Sequence, residues 1–330
     1  MKETLLCCRI TAQEKGLYRL CHDGVEQAAQ VSGKFQYEAL GPSDYPTVGD
    51  EVLADLNGGG QAVIHKVLPR KSLFLRKAAG TAREEQPVAA NVDILFLCMA
   101  LNNDFNLRRL ERYLAAAWNS GATPVVVLTK ADLCGNPSEK VAAVEEAAPG
   151  TDVLLTSAAQ EDGIRPLLPY LTPGRTVAFV GSSGVGKSTL MNGLLGKEIL
   201  ATGGLRNDDR GRHTTTRRQM FFLPGGAALI DTPGMRELGL WGSESGLETA
   251  FADIEALARQ CRFQDCRHEK EPGCAVRAAL ASGELSEERF RSWQRLSAEN
   301  RYADDRAAHM SAKEKKFRMI AQFNKSNSKR

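Results

Sequence analysis

Eight residues, Gly181-Ser182-Ser183-Gly184-Val185-Gly186-Lys187-Ser188, satisfy G-x-x-x-x-G-K-[ST] at every fixed position. That string is an anion cradle. Its glycines let backbone N–H groups turn inward and approach phosphate oxygens closely, and the N-terminus of a following helix adds positive potential. Lys187 reaches β and γ phosphates, the Ser188 hydroxyl is placed to ligate Mg²⁺, and Thr189 continues the first helical turn. A chance glycine-rich turn would have to fall by accident between an apolar strand, Thr176–Val180, and a helix, Ser188–Leu195. Downstream, Asp231-Thr232-Pro233-Gly234 ends the apolar run Ala227–Ile230. An acid there holds Mg²⁺ through water, and the Gly234 amide is placed to sense a γ-phosphate.

The base is chosen elsewhere. Thr129-Lys130-Ala131-Asp132 ends the run Pro124–Leu128 and fits [NT]-K-x-D. Asp132 accepts from guanine N1–H and from the 2-amino group. Adenine offers neither donor, so a carboxylate facing it would stay buried and unpaired. The stem of Lys130 lies over the base, while Thr129 stands where Asn is commoner and weakens one supporting contact. Thr156-Ser157-Ala158 fits the companion loop whose backbone amide meets guanine O6. Alone, each string is also what a solvated strand end looks like; with the phosphate loop they read as a guanine-nucleotide site.

A third cluster, Cys261-x4-Cys266-x-His268-x5-Cys274, gathers three thiols and an imidazole in one short segment. Cys₃His suits tetrahedral, structural zinc. A disulfide reading leaves one cysteine over and fits poorly in a reducing compartment, and an iron–sulfur cluster usually takes four cysteines. The other five of the 8 cysteines are scattered and read as small core hydrophobes.

These groups need elements to position them. Residues 1–70 read as five short strands, Leu5–Ile10, Gly16–Cys21, Gln27–Val31, Glu51–Leu56 and Gln61–Val67, which suits an OB-type barrel; an SH3-like barrel would read similarly. Residues 71–90 turn basic and loop-like, as in a linker. From 91 to 239 strands and helices alternate, implying a mainly parallel α/β sheet covered on both faces. Residues 240–310 read as a mostly α-helical, zinc-binding domain, in which Phe290, Trp293 and Leu296 form the core stripe of a helix over Ser286–Asn300. The tail, 311–330, has seven cations against one acid. A net charge of only +3 does not by itself mark a nucleic-acid binder. No apolar run reaches membrane-spanning length and no secretory signal opens the chain, so the expectation is a cytoplasmic protein without a membrane partner.

The motif order is permuted: base, base, phosphate, switch, Mg²⁺. With Gly211-Arg212-His213-Thr214-Thr215-Thr216 between the phosphate loop and DTPG, the chain resembles the circularly permuted ribosome small subunit-dependent GTPase A family over almost its whole length. The resemblance implies an OB-fold first domain, a zinc-binding last domain, binding of GTP and GDP, and hydrolysis stimulated by the small ribosomal subunit during its late maturation, with contact to its rRNA. The residues themselves leave RNA open, since charge runs are usually solvated surface.

Met235 stands just after DTPG, where many GTPases carry a glutamine, and cannot orient water. His213 is the candidate catalytic replacement beside Lys187, against the plain alternative of a surface loop histidine, and Thr215 is the candidate second Mg²⁺ ligand with Ser188. Two other readings compete: a switch whose barrel engages a protein, and an RNA-binding module in which GTP is structural. Either way the chain reads as a monomer.

Overall fold

The computed structural model describes residues 5–14, 16–56, 60–77, 85–102, 104–200, 218–232 and 244–301. It divides into two units, Met1–Gly239 and Leu240–Arg330.

The first unit opens with β1 (Leu6–Glu14), β2 (Leu17–His22), β3 (Val25–Val31), β4 (Glu51–Asp55) and β5 (Ala62–Val67). They close in the order β1-β2-β3-β5-β4-β1, with β3 and β5 parallel and the other pairs antiparallel. This is the OB arrangement. Alternation turns Ile10, Leu20, Val52 and Ile64 inward, all 0% exposed. A bulge between Ile10 and Ala12 bends β1. One edge of that strand pairs with β4 from Leu6 to Arg9 and then takes a different partner at Ala12 and Gln13. The helix α1 (Gly33–Glu38), started by the Ser32 hydroxyl accepting from Phe35 N–H, is too short to leave a period in the sequence.

The stretch expected to be loop carries a hairpin, β6 (Leu73–Lys77) with β7 (Glu85–Ala90). Its apolar runs are short, Leu73–Leu75 and Pro87–Ala90; Phe74, Val88, Ala89 and Ala90 are buried, and the charges between the runs hide any alternation. Just before it, Arg70 clamps the barrel. Its Nε and Nη2 reach the two carboxylate oxygens of Asp50, each at 2.7 Å, and other guanidinium N–H groups donate to the Ser43 and Tyr45 carbonyls. Asp50, at 0% exposed, depends on that partner.

The rest of the unit alternates: β8 (Ile94–Ala100), α2 (Leu107–Ser120), β9 (Thr123–Thr129), α3 (Pro137–Ala147), β10 (Val153–Leu155), β11 (Thr176–Val180), α4 (Lys187–Leu195), β12 (Arg218–Phe222) and β13 (Ala228–Asp231). Between β10 and β11, Arg165–Tyr170 form a 3-10 helix; Pro166 and Pro169 lack the N–H that an α-helix needs. The sheet runs β10-β9-β8-β11-β13-β12, all parallel except β12. Both faces of β8 are buried, as a covered parallel sheet requires. Phe96 and Phe179 meet edge to face at 5.2 Å in its core.

The second unit holds α5 (Glu244–Ala250), α6 (Ala252–Ala258), α7 (Ala275–Ser282) and a helix α8 over 287–301. Arg289 joins α8 to α6 by donating to both Asp253 oxygens, at 2.6 and 2.8 Å, while its guanidinium lies 4.8 Å over Phe251. Burial pushes the Asp253 carboxyl up, but Arg289 outweighs it and holds the group below its ordinary value. Among the described residues no helix is long and apolar enough to cross a membrane.

Removing one partner of a buried ion pair strands the other charge. Arg70→Ala is therefore expected to destabilise the first unit by about 3–5 kcal/mol, read as a fall in the denaturant midpoint; an unchanged midpoint would show that Asp50 does not need its guanidinium.

Candidate nucleotide site and metal centre

Leaving β8, the chain steps outward through β9 to β10; leaving β11, it occupies the other side with β13 and β12. The carboxyl ends of β8 and β11 therefore flank a switch point, where open α/β sheets bind ligands. Every described residue of the phosphate and base motifs lies at this edge. Thr215, His213, Gly234 and Met235 fall outside the described residues.

The loop after β11 is shaped by its neighbour. Gly181 has φ +155°, and a Cβ there would stand 2.4 Å from the Cys98 carbonyl oxygen at the end of β8. Only glycine lets the two strands lie so close. Gly186 precedes α4, and the Lys187 ammonium donates to the Gly181 and Ser182 carbonyls at 2.7 and 2.6 Å. The Ser182 hydroxyl donates to Asp104, whose carboxylate also pairs with Arg109 at 2.9 Å. Asp231 ends β13 opposite Phe179 of β11. Burial raises its carboxyl above the ordinary value, against the opposing pull of Lys187 and of the Thr232 N–H. That is the environment in which a cation stabilises the ionised form.

The base motifs are wired to this loop. The Thr129 hydroxyl, in a residue 2% exposed, donates to the Val185 carbonyl at 2.5 Å. The Asp132 carboxylate accepts from the Ser157 hydroxyl at 2.5 Å, and Ala131 N–H donates to the Thr156 carbonyl at 3.1 Å. Lys130 sits at φ +58°, the turn that carries the chain from strand end to carboxylate. Ser157 N–H is committed to the Gly163 carbonyl at 3.0 Å.

Two residues here were not singled out from the sequence. Asp104 precedes α2 with no motif around it. Gly163 lies in a polar turn with several glycine-tolerant neighbours, and only the packing shows its need: a Cβ there would stand 1.8 Å from the Ser157 carbonyl oxygen.

In the second unit the ligand atoms of Cys261, Cys266, His268 and Cys274 all lie within 4.8 Å of one another. Cys261 Sγ is 3.6 Å from His268 Nδ1 and 3.8 Å from Cys274 Sγ, and His268 Nδ1 is 3.4 Å from Cys274 Sγ. A tetrahedron with bonds of about 2.3 Å to sulfur and 2.0–2.1 Å to nitrogen has edges of roughly 3.8 and 3.5 Å. The donor set fits one zinc ion. The expected core stripe supports it: the His268 ring lies 5.7 Å from Trp293 and 6.4 Å from Phe290.

A P-loop sheet with the base loops ahead of the phosphate loop defines a circularly permuted GTPase. The sequence profile of the RsgA GTPase family matches residues 67–241. The chain belongs to that family and is a GTP hydrolase. It is 50% identical over 295 residues, 89% of its length and 83% of the relative's, to "Small ribosomal subunit biogenesis GTPase RsgA 2" of Lactiplantibacillus plantarum. It is 47% identical over 312 residues to the protein called "Small ribosomal subunit biogenesis GTPase RsgA" in Opitutus terrae, 91% and 85% of the two chains. The crystal structure of YjeQ from Thermotoga maritima superposes with a TM-score of 0.66 at 26% identity, covering 89% of this chain and 97% of that one. A profile described as ABC transporter also matches, over 166–329; it takes in the phosphate loop but not the base-reading residues 129–132.

Gly163→Ala tests how far the base side depends on this packing. The forced backbone shift is expected to cost about 1–3 kcal/mol, so the variant should melt at a lower temperature and, while still folded, bind GTP at least about tenfold more weakly by titration calorimetry. Unaltered affinity would mean that the loop after β10 tolerates the displacement.

Proposed function

We propose that this GTPase binds the small ribosomal subunit and couples GTP hydrolysis to the subunit's late maturation, with turnover stimulated by the subunit. The reading rests on the 50% identity, over 89% of the chain, to a protein named for small ribosomal subunit biogenesis. The joined phosphate and base loops supply a chemistry that suits it.

At the nucleotide, the amides of Gly181–Gly186 cradle the phosphates and Lys187 neutralises the β and γ oxygens. Asp132 selects guanine while Lys130 covers it. With Ser157 N–H already used by Gly163, the Ala158 amide is the donor left to meet O6. Ser188 and Thr215 would ligate magnesium when it is bound with GTP and Asp231 would hold it through water; the cation would supply positive charge to offset what develops on the phosphates. Gly234 reads the γ-phosphate. Met235 cannot orient water, so intrinsic turnover is slow, and His213, on docking, positions the nucleophile in line.

The division of labour follows the chain. Residues 1–70 form a barrel that contacts rRNA together with basic residues of 71–90. Residues 91–239 hold the nucleotide. Residues 240–310 are organised by one structural zinc ion on Cys261, Cys266, His268 and Cys274, and 311–330 form a basic tail. The protein acts as a cytoplasmic monomer, and release after hydrolysis completes the checkpoint.

Purified small subunits added to the isolated chain are expected to raise GTP turnover strongly. In His213→Ala the stimulated rate should fall roughly a hundredfold or more, while affinity for GTP stays within about twofold. Absence of stimulation in the parent would remove the ribosomal reading; equal stimulated rates in both proteins would remove His213.

A further inference from the structure

The barrel is not hung beside the nucleotide-binding sheet but hydrogen-bonded into it. β12 pairs with β13 on one side and with β1 on the other. In that ladder Asp231 stands opposite Gln219, and Gln219 stands opposite Ala12. The acid at the nucleotide site and a residue of the barrel wall are thus two strand spacings apart, about 10 Å. The next rung is Arg218 opposite Gln13.

Arg218 fastens that rung. Its side chain is buried, 8% exposed, and its Nη1 donates to the Pro87 carbonyl of β7 at 2.5 Å and, more distantly, to Gln13 Oε1 at 3.4 Å. The same Gln13 oxygen accepts from the Thr47 hydroxyl at 3.2 Å. One guanidinium therefore ties β12 to the hairpin and to the barrel, and a barrel loop bonds to the same amide. A cleft of about 480 Å³ borders it, lined by Gln13, Tyr18, Tyr45, Pro46, Pro87 and Arg218. The cleft gives these side chains room to rearrange without overpacking a core.

We infer that β12 is the element through which the nucleotide site and the barrel sense each other, and that Arg218 is the positioning residue that sets its register against β1. The inference rests on the nucleotide site described above. A shift of β13 that accompanies a change at Asp231 must be taken up by β12, because a ladder cannot slip by one residue without turning every side chain to the other face. With Arg218 holding β12 to β1 and β7, the displacement passes into the barrel wall. Coupling of this kind is reciprocal: whatever occupies the barrel face alters affinity for nucleotide by the same factor.

The test is hydrogen exchange on the isolated full-length chain, loaded either with GDP or with a non-hydrolysable GTP analogue. Backbone amides of residues 10–14 in β1 are expected to differ in exchange rate between the two states by about fivefold or more. Arg218→Met should abolish that difference while nucleotide affinity stays within about twofold, and Arg218→Lys should restore part of it. A residue that merely stabilised the fold would lower affinity in both states alike and leave the ratio intact. If Arg218→Met does not fold, Gln13→Ala is read instead, with the same expectation. Equal β1 exchange in the two states of the parent, or a full difference retained in the folded variant, overturns the inference. No ribosomal particle is present in this assay, so a failure of subunit stimulation would count against the proposed function and not against this coupling.

Discussion

One hydrogen bond, from the Thr129 hydroxyl to the Val185 carbonyl, fixes the distance between two loops that come from different strands. In the proposed function one of these loops grips the phosphates of a guanine nucleotide and the other its base, so affinity would depend on their separation being set before the ligand arrives. Preorganisation of this kind removes the cost of arranging the loops at the moment of binding. The bond is short and buried, and it spans 56 residues of sequence. Around it the other contacts fall into place: Ser157 steadies Asp132, Gly163 steadies Ser157, and Gly181 lets β11 lie against the end of β8.

Permutation leaves that geometry alone and changes the wiring. β11 still lies between β8 and β13, and the antiparallel strand β12 still flanks β13. What moves is where the chain enters and leaves. The barrel now precedes the base-reading half, and the segment after Asp231 leads into the second unit. Because β1 extends the sheet beyond β12, the nucleotide-binding layer and the barrel share one hydrogen-bonded surface, a consequence that the motif order alone does not require.

The candidate site was legible in the sequence because phosphate, guanine and zinc chemistry would each demand particular residues at short spacing. The five barrel strands and the alternating α/β pattern were legible for a different reason: each buries one face or two, and apolar periodicity records it. Long-range pairings left no such trace. Nothing in Arg218-Gln219-Met220-Phe221-Phe222 says that one edge belongs to β13 and the other to the barrel, since register comes from the partner strands. The hairpin over 73–90 was hidden because charges separate its short apolar runs. Asp104 and Gly163 became visible only when the fold placed Ser182 and the Ser157 carbonyl against them.

The central claim is that the carboxylate at 132 and the cradle at 181–188 hold opposite ends of one guanine nucleotide. The most direct measurement is the affinity of Asp132→Asn for GTP and for xanthosine triphosphate. An amide at this position replaces one acceptor with a donor, which mismatches the 2-amino group of guanine and matches the 2-oxo group of xanthine. The account predicts that GTP binding weakens about a hundredfold or more while the xanthine nucleotide becomes the preferred ligand. Retention of full GTP affinity by Asp132→Asn, with no gain for the xanthine nucleotide, would contradict it.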